Sequence, residues 1–133
     1  MLETPAAAAL GNFYRISAFA PYSADTELAK KITAAYQTKY KETPQDGVDF
    51  GYLTGMVLQK VLEKACKDKN TTREGVLDAF TSLKMDTQGL SGTLDFSKPG
   101  QPATRQVPIE QVDPTAEGGL KLLAADRAIV QSP

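Results

Sequence analysis

The residues of this chain best suited to chemistry are its acids. Asp46 and Asp49 lie three positions apart, as do Glu110 and Asp113. Paired carboxylates serve general acid–base work when a pocket splits their pKa values, holding one protonated and one ionised. The flanking sequence shows no such pocket, so both pairs read as caps and surface charges. The chain has no histidine, which removes an imidazole base, a Ser-His triad and a histidine metal site. A single cysteine, Cys66, excludes a cysteine-rich zinc site and an internal disulfide. Cys66 reads as a small apolar filler on a helix, with a bridge to a cysteine outside the chain as the rival reading. Gly47, Gly51 and Gly55 recur at a spacing of four but fit no phosphate-binding fingerprint. Gly47 reads as a turn, and Gly51 and Gly55 as points of close helix packing. The expectation is therefore no enzyme, no metal and no cofactor.

Four aromatic residues read either as core or as the lining of a cleft. Phe19 and Tyr22 flank a proline at a strand end, and Phe50 and Tyr52 stand at a helix start. Such positions line clefts in open α/β sheets. Phe13, Tyr36, Tyr40 and Phe80 read as core.

Charge narrows the partners. Fifteen basic and sixteen acidic residues nearly cancel, and no basic cluster offers a face to nucleic acid or an anionic membrane. Lys60, Lys64, Lys67 and Lys69 alternate with Glu63 and Asp68 as a solvated helix face would. No stretch approaches the ~20 apolar residues of a membrane span. Met1 to Leu10 lacks the basic start and apolar run of a signal peptide.

The elements that must position these residues are legible from periodicity. Ala6 to Leu10 reads as a helix end closed by Gly11-Asn12. Tyr14, Ile16 and Ala18 alternate with polar residues as in a strand, which Pro21 stops. A helix capped by Ser23 or Asp25 carries Leu28, Ile32, Tyr36 and Tyr40 as one stripe and stops at Pro44. A second runs from about Phe50 to Lys67, with Leu53, Met56, Val57, Val61 and Ala65 on one face. Leu58 and Leu62 widen that face beyond what one neighbour covers. Thr71 and Glu74 form a capping box for a third helix bearing Val76, Leu77, Phe80 and Leu83. Thr93 to Phe96 is a short strand. Arg105 to Val112 is another, with Val107 and Ile109 on one face and Pro108 placing it at an edge or interrupting it. Leu120 to Val130 fits a strand, a helix or a tail. Helices with such broad faces pack on a sheet, and most of that sheet is missing from the pattern.

One order of features is more specific than any single one. A Lys-rich helix leads to the turn Tyr40-Lys41-Glu42-Thr43-Pro44, then to Phe50-Gly51-Tyr52, then to the Thr71-Thr72-Arg73-Glu74 cap. Gly89-Leu90-Ser91-Gly92-Thr93-Leu94-Asp95-Phe96, Thr104 to Val107 and Val112-Asp113 follow. Over residues 4 to 125 this resembles the C-terminal portion of the solute-binding proteins of branched-chain amino acid ABC transporters, the type I periplasmic binding proteins. The resemblance implies an α/β fold: part of a two-lobed sandwich, with three helices and a few strands. It implies a lobe-crossing strand at 12–20, a helical part of the first lobe at 21–88, and a return crossing with terminal strands of the second lobe at 89–133. Function in that family is hinge closure around an amino acid or related small molecule, then delivery to an ABC permease outside the cytoplasm. Tyr22, Phe50 and Tyr52 would be the pocket wall. The family's polar anchors for the solute's carboxylate and ammonium lie in segments without a counterpart here, so the chain alone is expected to bind no amino acid. Its uncovered helix faces and strand edges predict a homodimer.

Two rival readings share the fold: a standalone dimerising interaction module, and the ligand-sensing domain of a regulator.

Overall fold

The computed structural model describes residues 10–128. The element order is β1 (Tyr14–Ile16), α1 (Glu27–Tyr40), α2 (Asp46–Lys67), α3 (Arg73–Thr81), β2 (Lys84–Met85), β3 (Leu94–Asp95), β4 (Gln106–Val112) and β5 (Leu120–Ala128). An antiparallel sheet in the order β1-β4-β5 holds the two ends of this region together, and β2 pairs with β3 in a separate two-stranded ribbon. Of the expected helix end at Ala6 to Leu10, only Leu10 lies among the described residues.

The three helices form where periodicity places them, but their ends are set by chemistry one to four residues away. Thr26, not Ser23 or Asp25, caps α1 by accepting the Ala29 N–H at 3.2 Å. Lys41 ends the helix in the left-handed region at φ 60°, before Pro44 is reached. Thr72 replaces Thr71 as the cap of α3, accepting the Gly75 N–H at 3.2 Å. The Asn70 side chain fixes that choice by accepting the Thr72 hydroxyl at 2.6 Å. Glu74 is then one position too early for a capping box. Helix α2 begins at Asp46, four residues ahead of the expected start, because Gly47 is helical rather than a turn.

A core of small and aliphatic side chains joins the helices to the ribbon. Ala29 and Ile32 of α1 meet Leu53, Val61 and Ala65 of α2 and Ala79 of α3, with Met85, Leu90 and Leu94 closing the cluster. The sequence stripe overestimates this core. Tyr40 and Phe13 are exposed, and Tyr36 stacks on Tyr40 at 4.7 Å rather than entering it. Phe80 stacks on Phe96 at the core's rim, 4.5 Å between centroids. Leu58, Leu62 and Cys66 on α2 are all exposed. A side chain at Gly47, Gly51 or Gly55 would meet nothing within 4 Å, so these glycines are not close-packing points here. Instead they continue the exposed stripe of Leu58, Leu62 and Cys66 along one side of the helix. The interleaved charges behave as solvated pairs, with Lys60–Glu63 at 2.9 Å and Lys64–Asp68 at 2.7 Å.

The sheet inverts the expected faces. Tyr14 and Ile16 are 55% and 66% exposed, while Arg15 between them turns inward. On β4 the buried residues are Pro108, Glu110 and Val112, and Val107 and Ile109 are half-buried. Pro108 sits on the central strand, not at an edge. Its missing N–H is absorbed by register shifts against β5 on either side of Ile109, and its carbonyl accepts the Ser17 N–H at 3.3 Å. Leu120–Ala128 resolves to a strand because β4 offers it a partner.

Candidate functional site

Two connecting segments lie side by side. The chain leaves β1 through Ser17–Ala20, and Gly89–Gly92 lies in the loop between β2 and β3 of the ribbon. The Ala20 N–H donates to the Leu90 carbonyl at 2.7 Å, and the Ser91 hydroxyl to the Ala18 carbonyl at 2.8 Å. Gly89 holds φ +87°, and a Cβ there would lie 2.7 Å from Thr26 Cγ2. Glycine is required at that position for both conformation and space.

The aromatic residues sit around these segments, but not as one wall. Phe19 leaves the first segment and meets Phe50 of α2 with ring centroids 5.1 Å apart and planes tilted by 34°. Phe50 stays 52% exposed, so the pair shows an apolar face to solvent. Tyr52 is 47% exposed, and two residues of helix turn it to another side of α2. Tyr22 is buried against the turn before β5: a Cβ on Gly118 would approach its hydroxyl to 2.8 Å. Burial raises the Tyr22 phenol pKa, with the nearby Glu117 and Asp46 carboxylates adding to it. Of the three expected wall residues, only Phe50 joins another aromatic, and that partner is Phe19.

A charge cluster that local sequence places on the surface ties β1, β4 and the start of α2 together. Glu110 and Asp49 are fully buried. Arg15 donates from Nε to Glu110, its register partner across β1 and β4, and from Nη2 to Asp46 at 2.7 Å. The other Asp46 oxygen accepts the Tyr22 N–H at 3.3 Å. Burial opposes the Arg15 charge, but the two carboxylates outweigh it and raise its pKa. Burial also raises the Glu110 carboxyl, against the pull of Arg15. Asp49 has no hydrogen-bond partner on either oxygen among the described residues. Burial, and then repulsion from Asp46, push its pKa to about 6. Acids three apart on a helix start give no sign of this. The one available signal is Arg15 in the middle of an apolar strand.

Two larger concavities lie elsewhere. One of about 480 Å³ is walled by Lys84, Lys98, Arg105, Thr93 and Thr104 among others. Another of about 530 Å³ runs along Gly55, Leu58, Leu62 and Cys66 on α2. Neither is lined by Tyr22, Phe50 or Tyr52. No group of three or more metal-binding side chains converges among the described residues. No helix among them is long and apolar enough to cross a membrane.

Comparison with known proteins fits this arrangement of sheet, ribbon and helices. The fold superposes on a fatty acid ABC transporter substrate-binding protein from Thermomonospora curvata with a TM-score of 0.82 and 37% identity. The match covers 96% of this chain and 33% of that one, so the chain spans about a third of its structural relative. No curated protein matches. The α/β architecture is thus part of a periplasmic-binding-protein fold, and the periplasmic binding protein family model matches residues 1–119. By that match over most of its length, the chain belongs to the periplasmic binding protein family.

Proposed function

We propose that this chain supplies part of the solute-binding component of an ABC importer, working outside the cytoplasm with a membrane permease. The observation that carries the reading is the pairing of Ser17–Ala20, which leads from the sheet toward the helices, with Gly89–Gly92 in the ribbon loop. Segments of this kind bend when two lobes close on a solute. Residues 12–20 serve as one crossing, 21–88 as the helical part of one lobe, and 89–133 as the return crossing with strands of the other. The role is binding and delivery, with no catalytic step.

The solute in this reading is a small carboxylate with an aliphatic chain. Phe50, backed by Phe19, forms an apolar wall for the chain. Such a wall selects shape and hydrophobic length but discriminates by only ~1–3 kcal/mol per methylene. The name of the relative, a fatty acid receptor at 37% identity, favours a fatty acid over leucine or isoleucine as that carboxylate. Calorimetry of a two-lobed protein containing this chain, with octanoate and leucine as probes, tests the choice. Binding of octanoate at least about tenfold tighter than leucine is expected. The reverse order would restore a branched-chain amino acid as the solute. The 133-residue chain by itself is expected to bind neither at millimolar concentration, and binding there would place the polar anchors within it.

A second reading rests on the uncovered stripe of Gly51, Gly55, Leu58, Leu62 and Cys66. Small residues and leucines at this spacing let two helices approach closely. We infer that the isolated chain self-associates through α2 as a homodimer. Light scattering at micromolar concentration is expected to give twice the chain mass, and Leu58→Glu with Leu62→Glu to return it to the monomer. A wild-type monomer would remove this reading.

A further inference from the structure

Three polar anchors meet at the start of α2, and one guanidinium connects them. Arg15 belongs to β1, Glu110 to β4 and Asp46 to the first turn of α2. Asp46 also holds the backbone of Tyr22, just past the first crossing, at 3.3 Å. Phe50 follows one turn later on the same helix and packs on Phe19, which lies between Arg15 and Tyr22 in the chain. The register of the two rings thus depends on where the start of α2 is tied relative to β1, and the Arg15–Asp46 bond makes that tie. We infer that Arg15 is the positioning residue for the Phe19–Phe50 wall, holding the helix that carries one ring to the strand that leads to the other. The inference rests on the reading of that wall as the solute contact.

The chemistry of the pair explains why arginine is needed. Nε and Nη2 point at two different carboxylates from one rigid plane. Glu110 is fully buried, and its remaining oxygen has no partner among the described residues. Asp46 is partly exposed and can turn to water. A lysine at position 15 brings one ammonium on a flexible stem, and it follows the carboxylate that water cannot reach. Arg15→Lys therefore keeps the buried charge paired and releases Asp46.

The test is amide hydrogen exchange and ring-to-ring NMR contacts in the 133-residue chain, without any solute. Arg15→Lys is expected to speed exchange of the Tyr22 amide about tenfold and to weaken the Phe19–Phe50 contacts. The Val61 and Ala65 amides, in the C-terminal third of α2, should be unchanged. Asp46→Asn should give the same local pattern, and the double variant no more than either single one. Additive effects, or unaltered rings in Arg15→Lys, would overturn the inference. Uniformly faster exchange along α2 would reduce Arg15 to a general stabiliser and overturn it equally. Because no solute enters the experiment, a failed solute assay leaves this result standing, and the two failures are separable.

Discussion

Asp49→Asn is expected to stabilise the chain at neutral and alkaline pH. The Asp49 carboxylate is fully buried, and neither oxygen has a hydrogen-bond partner among the described residues. Its folded pKa is raised from 3.8 to about 6, first by burial and then by Asp46. A raised folded pKa means that the folded chain holds the proton more tightly than the unfolded one. The stability this proton confers is complete below 3.8 and lost as the pH rises through about 6. Each pH unit between those two values is worth about 1.4 kcal/mol, so the loss is on the order of 3 kcal/mol. The favourable dipole at the start of α2 does not cancel it, being worth ~0.3–1 kcal/mol. Asparagine removes the charge but buries an amide, so a net gain of about 2 kcal/mol is expected at about pH 8 and none at about pH 4. Urea unfolding at the two pH values reads both numbers. A loss of stability in Asp49→Asn at the higher pH would mean that the carboxylate has a cationic partner in the folded chain.

Removing the guanidinium should have the opposite sign and a larger size. Arg15→Met leaves Glu110 buried with no counter-charge, and breaking a buried pair from one side costs about 3–5 kcal/mol. Burial already holds the Glu110 pKa above its usual value, and without Arg15 it rises further. The deficit of Arg15→Met is therefore greatest at high pH and shrinks as the pH falls and Glu110 takes up a proton. Adding Glu110→Gln should recover most of the loss, because two neutral partners carry no unpaired buried charge. A loss below about 1 kcal/mol in the single variant would show that water reaches Glu110.

The helices are legible in the sequence because their apolar residues recur at helical spacing, and all three form with a shift of a few residues at their starts. The caps are less legible, since Thr71 and Thr72 offer the same hydroxyl and only the Asn70 side chain decides between them. The outward faces mislead for one physical reason. A periodic stripe reports which side of an element is apolar, and it is silent on whether the covering surface lies within the chain. Leu58, Leu62 and Cys66 on α2, and Tyr14 and Ile16 on β1, all belong to stripes without a cover among the described residues. The candidate site is half legible. Phe50 and Phe19 stand out as aromatics at element ends, and they do meet. The Arg15, Asp46 and Glu110 cluster joins residues up to 95 positions apart, and local spacing carries no trace of such a meeting. The ribbon strand β2 escapes sequence reasoning because two residues are too few to show a period.

The pairing of β1 with β4 also orders events during synthesis. Arg15 leaves the ribosome 95 residues ahead of its register partner Glu110. Closing so long a loop is entropically unfavourable until much of the intervening chain is compact. The contacts among α1, α2 and α3 are local and form as those segments emerge. Until β4 appears, the nascent chain carries an unmatched arginine and an unpaired β1. This sheet is thus sealed after the helices, and a ribosome paused before Glu110 would hold a folded helical layer with a loose β1.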